Sequence, residues 1–412
     1  MNSTSQRGPD QPVLGQRILG QRVFATGLAL GLLSAIGPLA IDLYLPAFPT
    51  MTRDLHASPG EVQRTLSAFF LALAVAQIPI GSFGDRFGRK LPLYLGLGLF
   101  IAMSVACSFA PSVQALVGLR FMQGFGICAG TAVSRAMIRD RHTGHEAARL
   151  MAFSFLIIGI SPVLAPAVGS WLLNIMGWRE LFLILALLGV GGLVVAAILP
   201  ESLPPERRIP VRQPILPAYG ALVGNGRFIA GAVTAGLATT IPYAYVTAAP
   251  FVFTGVFGLD AKVYTLLLGA NAVCSIGLTQ LSPKLMRLWG PRKLILRAMG
   301  LGAVLTVTLG AAALFGFGGI VLFQAYSMLM FCMVGLALTP AAISALDAGK
   351  TGAGAAAGML GTLQLVVTAC ASALVSVFPA FSLKPLLAVV LGCTVISLAL
   401  TAAFQPAQKK EG

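Results

Sequence analysis

Runs of about 20 apolar residues, long enough for a helix to cross a bilayer, recur along nearly the whole of this 412-residue chain. In the first half they cover Phe24 to Phe48, Val62 to Phe83, Leu91 to Phe109, Val113 to Met137, Leu150 to Ile175 and Leu181 to Leu199. In the second half they cover Phe228 to Phe253, Val263 to Leu281, Leu294 to Phe315, Gly319 to Ile343, Ala353 to Val377 and Leu383 to Phe404. A chain that is 57% hydrophobic and 10% charged cannot present the charged surface that a soluble protein of this length needs. The first run is longer than the core of a signal peptide and has no convincing cleavage site, so it is expected to stay attached as the first span. Cys107, Cys128, Cys274, Cys332, Cys370 and Cys393 all fall in apolar runs with no histidine cluster nearby, and they read as small buried hydrophobes with no metal to bind.

The fold class expected is an all-α membrane protein, with twelve transmembrane helices in two pseudo-symmetric six-helix bundles. The two sets of six flank a Pro-rich charged stretch, Pro200 to Pro210, that cannot continue a helix and reads as a linker. The expected organisation is a cytoplasmic tail at 1–22, a first bundle at 23–199, a cytoplasmic linker at 200–226, a second bundle at 227–405 and a cytoplasmic tail at 406–412. With both ends inside, 22 of the 28 basic residues fall on the inner side, as cytoplasmic loops require. The net charge of +15 would suit nucleic-acid binding only if it were gathered on one face of a folded domain. Here it is spread between spans, so no nucleic-acid partner is expected, and the bilayer is.

Between the second and third spans lies Gly81-Ser82-Phe83-Gly84-Asp85-Arg86-Phe87-Gly88-Arg89-Lys90, which reads as a tight, water-exposed hinge. Its glycines permit a sharp turn. Asp85 can pair with Arg89, with Arg135 or Arg139 at the inner end of the fourth span, or with the N-terminus of the eleventh. A fainter copy, Trp289-Gly290-Pro291-Arg292-Lys293, follows the eighth span, with Arg287 where Asp85 would be.

Charged groups inside a span cost about 2.5 to 3.5 kcal/mol, so each one needs a reason. Asp42 lies in the outer half of the first span, and Arg120 lies about 10 Å into the fourth. A carboxyl kept from water favours its neutral form, whereas a guanidinium nearby favours the ionised one. That combination makes a proton switch, with Asp42 as carrier and Arg120, which keeps its proton at any physiological pH, as tuner. Structural readings stand beside it: Asp42 bonding backbone freed by Pro38 or Pro46, or sitting shallow enough to be wet, and Arg120 tied to carbonyls of a neighbouring span.

The hinge resembles the signature loop of the major facilitator superfamily, Gly-x-Leu-x-Asp-Arg-x-Gly-Arg-Lys, with Phe83 in the Leu place. Asp42-Leu43-Tyr44-Leu45-Pro46-Ala47-Phe48-Pro49 resembles a stretch of its bicyclomycin/chloramphenicol-resistance (Bcr/CflA) branch of drug:proton antiporters, and Arg120-Phe121-Met122-Gln123-Gly124 matches the superfamily's Arg-x-x-Gln-Gly motif. On the fifth span, Gly159 to Ser170 is similar to the antiporter motif, with Ala165 and Ser170 replacing two glycines. There Gly159, Pro162, Pro166 and Gly169 read as a pivot or proton-tight seal, or as an ordinary small-residue helix contact. Gly177 to Phe182 and Leu199 to Leu203 complete the pattern.

The resemblance implies two parallel six-span repeats. It also implies proton-coupled export of amphiphilic antibiotics or toxic compounds, with no cofactor beyond the proton gradient. The implied setting is a monomer in a bacterial inner membrane, with both termini cytoplasmic. Its conformational switch would be Gly81, Gly84, Asp85, Arg86, Gly88, Arg89, Lys90, Arg135 and Arg139.

Tyr44, Gln77, Gln123, Tyr243, Tyr245, Phe251, Asn271, Gln324, Tyr326 and Gln364 are the polar or aromatic candidates for a substrate cavity. Such a cavity suits an uncharged or weakly cationic amphiphile better than a sugar. An enzyme is not expected: the three histidines fall in loops and no carboxylate pair shares a span, so catalytic residues and metal ligands are assigned to none. A channel or receptor has no supporting feature. Proton-coupled uptake on the same scaffold is the competing reading, because architecture does not fix direction.

Overall fold

The computed structural model describes residues 11–141, 161, 164–208, 210, 216–259, 261–314, 319–349, 353–377 and 383–404. In chain order the helices are α1 Gln11–Asp42, α2 Phe48–Asp54, α3 Pro59–Phe87, α4 Lys90–Ser108, α5 Val113–Arg141, α6 at 164–172, α7 Trp178–Ile198 and α8 Leu216–Val223. They continue as α9 Gly226–Phe251, α10 Ala261–Trp289, α11 Pro291–Leu314, α12 Ile320–Ala348, α13 Ala353–Val377 and α14 Lys384–Phe404. Among the described residues, eleven helices are long and apolar enough to span a membrane. The expected fifth span, Leu150 to Ile175, lies mostly outside the described residues, and α6 is its described part. The expected tail at 1–22 is helical from Gln11.

Local chemistry sets the helix ends. Ser58 caps α3 in a reciprocal box: its hydroxyl accepts from Glu61 N, Glu61 accepts from Ser58 N at 2.8 Å, and Pro59 opens the helix. Asn225 caps α9 by accepting from Arg227 N and Phe228 N, while its amide donates to Ala348 O at the end of α12. The first span does not stop at Phe48. A one-turn 3₁₀ segment at Leu45–Ala47 carries it into α2.

One expectation is corrected. The hinge is not an open loop, because α3 runs through Gly81 and Asp85 to Phe87 and only Gly88 and Arg89 make the turn. Nor is it water-exposed at its core, since Gly88 is buried and Arg89 is 6% exposed. Packing supplies the reason: Gly84 brings α3 against the Arg89 side chain, with a Cβ there only 3.2 Å from Nη1, so the chain stays helical until Gly88 turns it at φ +93°.

The packing repeats. In the first half α1 packs on α5 and α7, α3 on α5 and α4, and α4 on α5 and α7. In the second half α9 packs on α12 and α14, α10 on α12 and α11, and α11 on α12 and α14. These are the same six pairings in the same order, the arrangement of a parallel repeat. The halves meet where α3 lies along α13 and where α9 meets α2 and α3. One end of the bundle carries Phe48 and the other carries Asp85.

Candidate functional site

Asp42 ends α1 and is 4% exposed. Its carboxylate accepts a hydrogen bond from Ser161 Oγ at 3.1 Å. Ser161 belongs to the fifth-span motif, and another motif residue presses on the same place: a Cβ on Gly169 would collide with the carbonyl oxygen of Leu43. The Tyr243 and Tyr264 phenols, from the second half, lie within electrostatic reach of the carboxyl. Asp42 is therefore held at the end of α1 by the fifth span, with two phenols of the second half in electrostatic reach. Pro166 lies on α6, while Gly159 and Pro162 fall outside the described residues.

Arg120 is fully buried on α5. Its guanidinium sits 4.3 Å from the ring centre of Tyr44 and 4.2 Å from that of Phe69, with Phe182 at 5.8 Å. A desolvated cation over aromatic faces is worth about 2 kcal/mol or more. It donates to Gln123 Oε1 and, at 3.1 Å, to Ala40 O on α1. No ion pair joins it to Asp42 among the described residues; the two are connected through two residues of α1 backbone. Of the readings open for this arginine, the tie to a neighbouring span's carbonyl is the contact present. Gln123 passes the network on, donating to Ser104 Oγ at 2.6 Å on α4. Gly124 lets α5 settle on α3, since a Cβ there would lie 2.7 Å from Phe69 O.

At the Asp85 end, Arg89 joins two acids. Its Nη1 donates to Asp85 at 2.7 Å, while Nε and Nη2 donate to the two oxygens of Asp140 at 2.8 and 3.2 Å. Ser202 donates its hydroxyl to Asp140 at 2.9 Å. Glu201 then folds over the turn and accepts from the backbone N–H groups of Arg89, Lys90, Ser202 and Leu203 at 2.9 to 3.1 Å. Partial burial works against ionisation of Glu201, but these four donors outweigh it and hold the carboxyl below its ordinary range. For Arg89 too, burial opposes the charge, and Asp140 followed by Asp85 more than offsets it.

Asp140, Glu201 and Ser202 were not among the expected site residues. The available signals were the acid between Arg139 and Arg141 and the Leu199 to Leu203 stretch already matched to the family pattern. Of the expected switch residues, Lys90 donates to Ala197 O and lies over Tyr94, Arg86 is on the last turn of α3, and Gly81 has open space around it. Arg135 donates back to Thr131 O of its own helix, and the Arg139 side chain lies outside the described residues.

The cavity candidates divide. Tyr44 is buried and bonded to Thr65, Gln123 has both ends of its amide in the Arg120 network, and Tyr326 bonds Thr306 at 3.1 Å. Tyr245 is packed among Phe253, Phe323 and Phe331. Asn271 accepts from Gln324 at 2.9 Å and from Ser327 at 3.2 Å. Three of the ten lie at the seam: Phe251 is 6.0 Å from Phe48, Tyr243 is 4.6 Å from Phe70, and Gln77 faces Gly361, whereas the Gln364 backbone packs on Gly236 of α9 within its own half.

Residues 30–374 match the family described as Major Facilitator Superfamily. An uncharacterized MFS-type transporter of Bacillus subtilis, YdgK, is 31% identical over 87% of this chain and 90% of its own length. A bicyclomycin resistance protein homolog of Haemophilus influenzae is 28% identical over 90% of this chain and 94% of its own. The multidrug resistance protein MdtL of Salmonella heidelberg is 27% identical over 90% and 92%. Among solved structures, a D-xylose–proton symporter superposes with a TM-score of 0.72 at 15% identity, covering 94% of this chain and 98% of that one. With twelve expected spans, six duplicated helix pairings and a matching profile over most of its length, this multi-pass membrane protein belongs to the Major Facilitator Superfamily and is a transporter.

Proposed function

We propose that the protein exports amphiphilic, drug-like molecules in exchange for protons by alternating access. The observation that carries this is Asp42: a carboxyl held out of water and bonded by Ser161 of the fifth-span motif, with the Tyr243 phenol of the other half within electrostatic reach. A group so placed changes its surroundings whenever the halves rock, and a change of surroundings is what loads and unloads a proton. Arg120 fixes α1 against α5. The Arg89 clasp holds the Asp85 end of the first bundle as one piece. The names of the relatives in Haemophilus and Salmonella support drug-like cargo.

The same reading places the chain as a monomer in a bacterial inner membrane, with both termini and the 200–226 linker in the cytoplasm and no cofactor beyond the proton gradient. Its test is drug accumulation in an efflux-deficient bacterial host. Expression should lower cell-associated drug while the proton gradient stands, and collapsing the gradient should abolish the difference. Accumulation that rises with expression would instead establish uptake.

A further inference from the structure

At the Phe48 end, four side chains from opposite halves meet. Gln63 Nε2 on α3 donates to Thr247 O on α9 at 3.2 Å. Ser67 Oγ on α3 donates to Ser372 Oγ on α13 at 2.9 Å, and Ser372 also lies 3.5 Å from Thr247 Oγ1. Ser372 is thus the shared node of a chain running α3, α13, α9. Gln63, Thr247 and Ser372 are fully buried and Ser67 is 8% exposed. Each is an alcohol or an amide. The Phe70–Tyr243 and Phe48–Phe251 ring contacts flank them.

A second observation separates this seam from the rest of the molecule. Within each half, helices touch backbone to backbone at glycines. A Cβ on Gly96 would lie 2.6 Å from Gly126 O, one on Gly124 2.7 Å from Phe69 O, and one on Gly335 2.6 Å from Ser275 O. Such contacts permit little sliding. Across the seam, Gly361 faces Gln77 at 3.7 Å, which is ordinary van der Waals contact. The halves are rigid inside and joined by side chains. Parting neutral hydroxyls exposes no ion, and water replaces each lost partner.

We propose that Gln63, Ser67, Thr247 and Ser372 form a neutral hydrogen-bonded gate that opens and recloses in each transport cycle. The proposal rests on the alternating-access reading above and adds its moving contact.

The test is the double variant Ser67→Cys with Ser372→Cys, carrying Gln77→Cys as a reporter deeper along the same seam. Membrane-impermeant maleimide is added to right-side-out or inside-out vesicles, and labelling of residue 77 is read by peptide mass spectrometry, which keeps it distinct from the native cysteines. Oxidation should cross-link 67 to 372 and lower labelling from the Phe48 face at least tenfold, leaving labelling from the Asp85 face unchanged and recovering with reductant. Ser372→Ala, which removes the node, should raise labelling from the Phe48 face. Cross-linked protein that labels equally fast from the Phe48 face overturns the gate, as does failure of the folded variant to cross-link. Drug export is measured separately in the double variant without the reporter. Export that persists after cross-linking removes the gate and leaves the drug reading standing. A gate that blocks labelling in a protein exporting no drug does the reverse.

Discussion

The two halves share their packing and differ in their charge. Counting from the first residues of α5 and α12, both 29 residues long, Arg120 and Ser327 occupy the same position. By the same count on α3 and α10, Phe69 matches Asn271. Where the first half stacks a guanidinium on a ring, the second has a hydroxyl donating to an amide oxygen at 3.2 Å. Measured from the turn glycines, Ser104 matches Thr306, and each bonds a side chain of the central helix beside it, Gln123 and Tyr326. The turns follow the same rule. Gly88 and Gly290 both have positive φ, +93° and +75°. Around the first lie Asp85, Arg89, Asp140 and Glu201; in the second, Arg287 and Pro291 stand where Asp85 and Arg89 would be. The geometry of close approach recurs in both halves, while the ion pairs given for the described residues, Arg89 with Asp85 and with Asp140, lie in the first.

The strongest challenge to that asymmetry is Asp42→Asn. It should abolish gradient-driven export with membrane protein level and melting temperature retained, whereas Asn271→Ala in the second half should leave proton coupling intact. Full export by Asp42→Asn removes the carrier assignment.

Next in size is Arg120→Lys. Lysine keeps the charge and loses the planar guanidinium held over Tyr44 and Phe69, so export should fall about tenfold or more, within the roughly 2 kcal/mol or more of a desolvated cation–π contact. Ser327→Ala should cost less than threefold.

The turn glycines give a matched pair. Alanine at either must adopt a positive φ, and at Gly88, where ψ is 170°, the backbone lies in a region kept almost wholly for glycine, at a cost of about 1 to 3 kcal/mol. At Gly88 a Cβ would also lie 2.7 Å from Glu201 and 2.9 Å from Arg208. Gly88→Ala should therefore lower the melting temperature and turnover more than Gly290→Ala, and equal effects would break the comparison.

The smallest effect concerns pH. Because the folded protein holds Glu201 below its ordinary value of 4.5, its stabilising contribution is complete above that value and is lost as pH falls through the lower folded one. Melting temperature should drop on acidification through that window, and Glu201→Gln should flatten the drop. An unchanged acid profile would show that the four backbone donors contribute nothing.

The spans were legible, eleven of the twelve expected standing as long apolar helices among the described residues, because hydrocarbon admits few alternatives. Arg120 and Asp42 stood out for the same reason: charge is rare there. What sequence did not disclose was partnership. Glu201 lies more than a hundred residues beyond the turn it covers, and no local pattern marks which carboxylate returns to which backbone amide. Helix through Gly81 and Gly84 was read as a turn because glycine is a poor helix former in isolation, whereas here tertiary packing decides. Among the cavity candidates, Gln123 and Tyr326 are occupied by neighbours, since a polar side chain in a span finds a partner before it waits for cargo.

The aromatic setting of Arg120 has an electrostatic consequence for anything travelling past it. Rings lower the energy of a cation without cancelling its monopole. When Asp42 is protonated, the interior of the first bundle holds an uncompensated unit charge; at about 10 Å and an effective dielectric constant near 20 this repels a cationic solute by about 1.7 kcal/mol, more than tenfold in occupancy. Ionised Asp42 would quench that repulsion, so the proton on one residue decides whether a positively charged passenger is turned away.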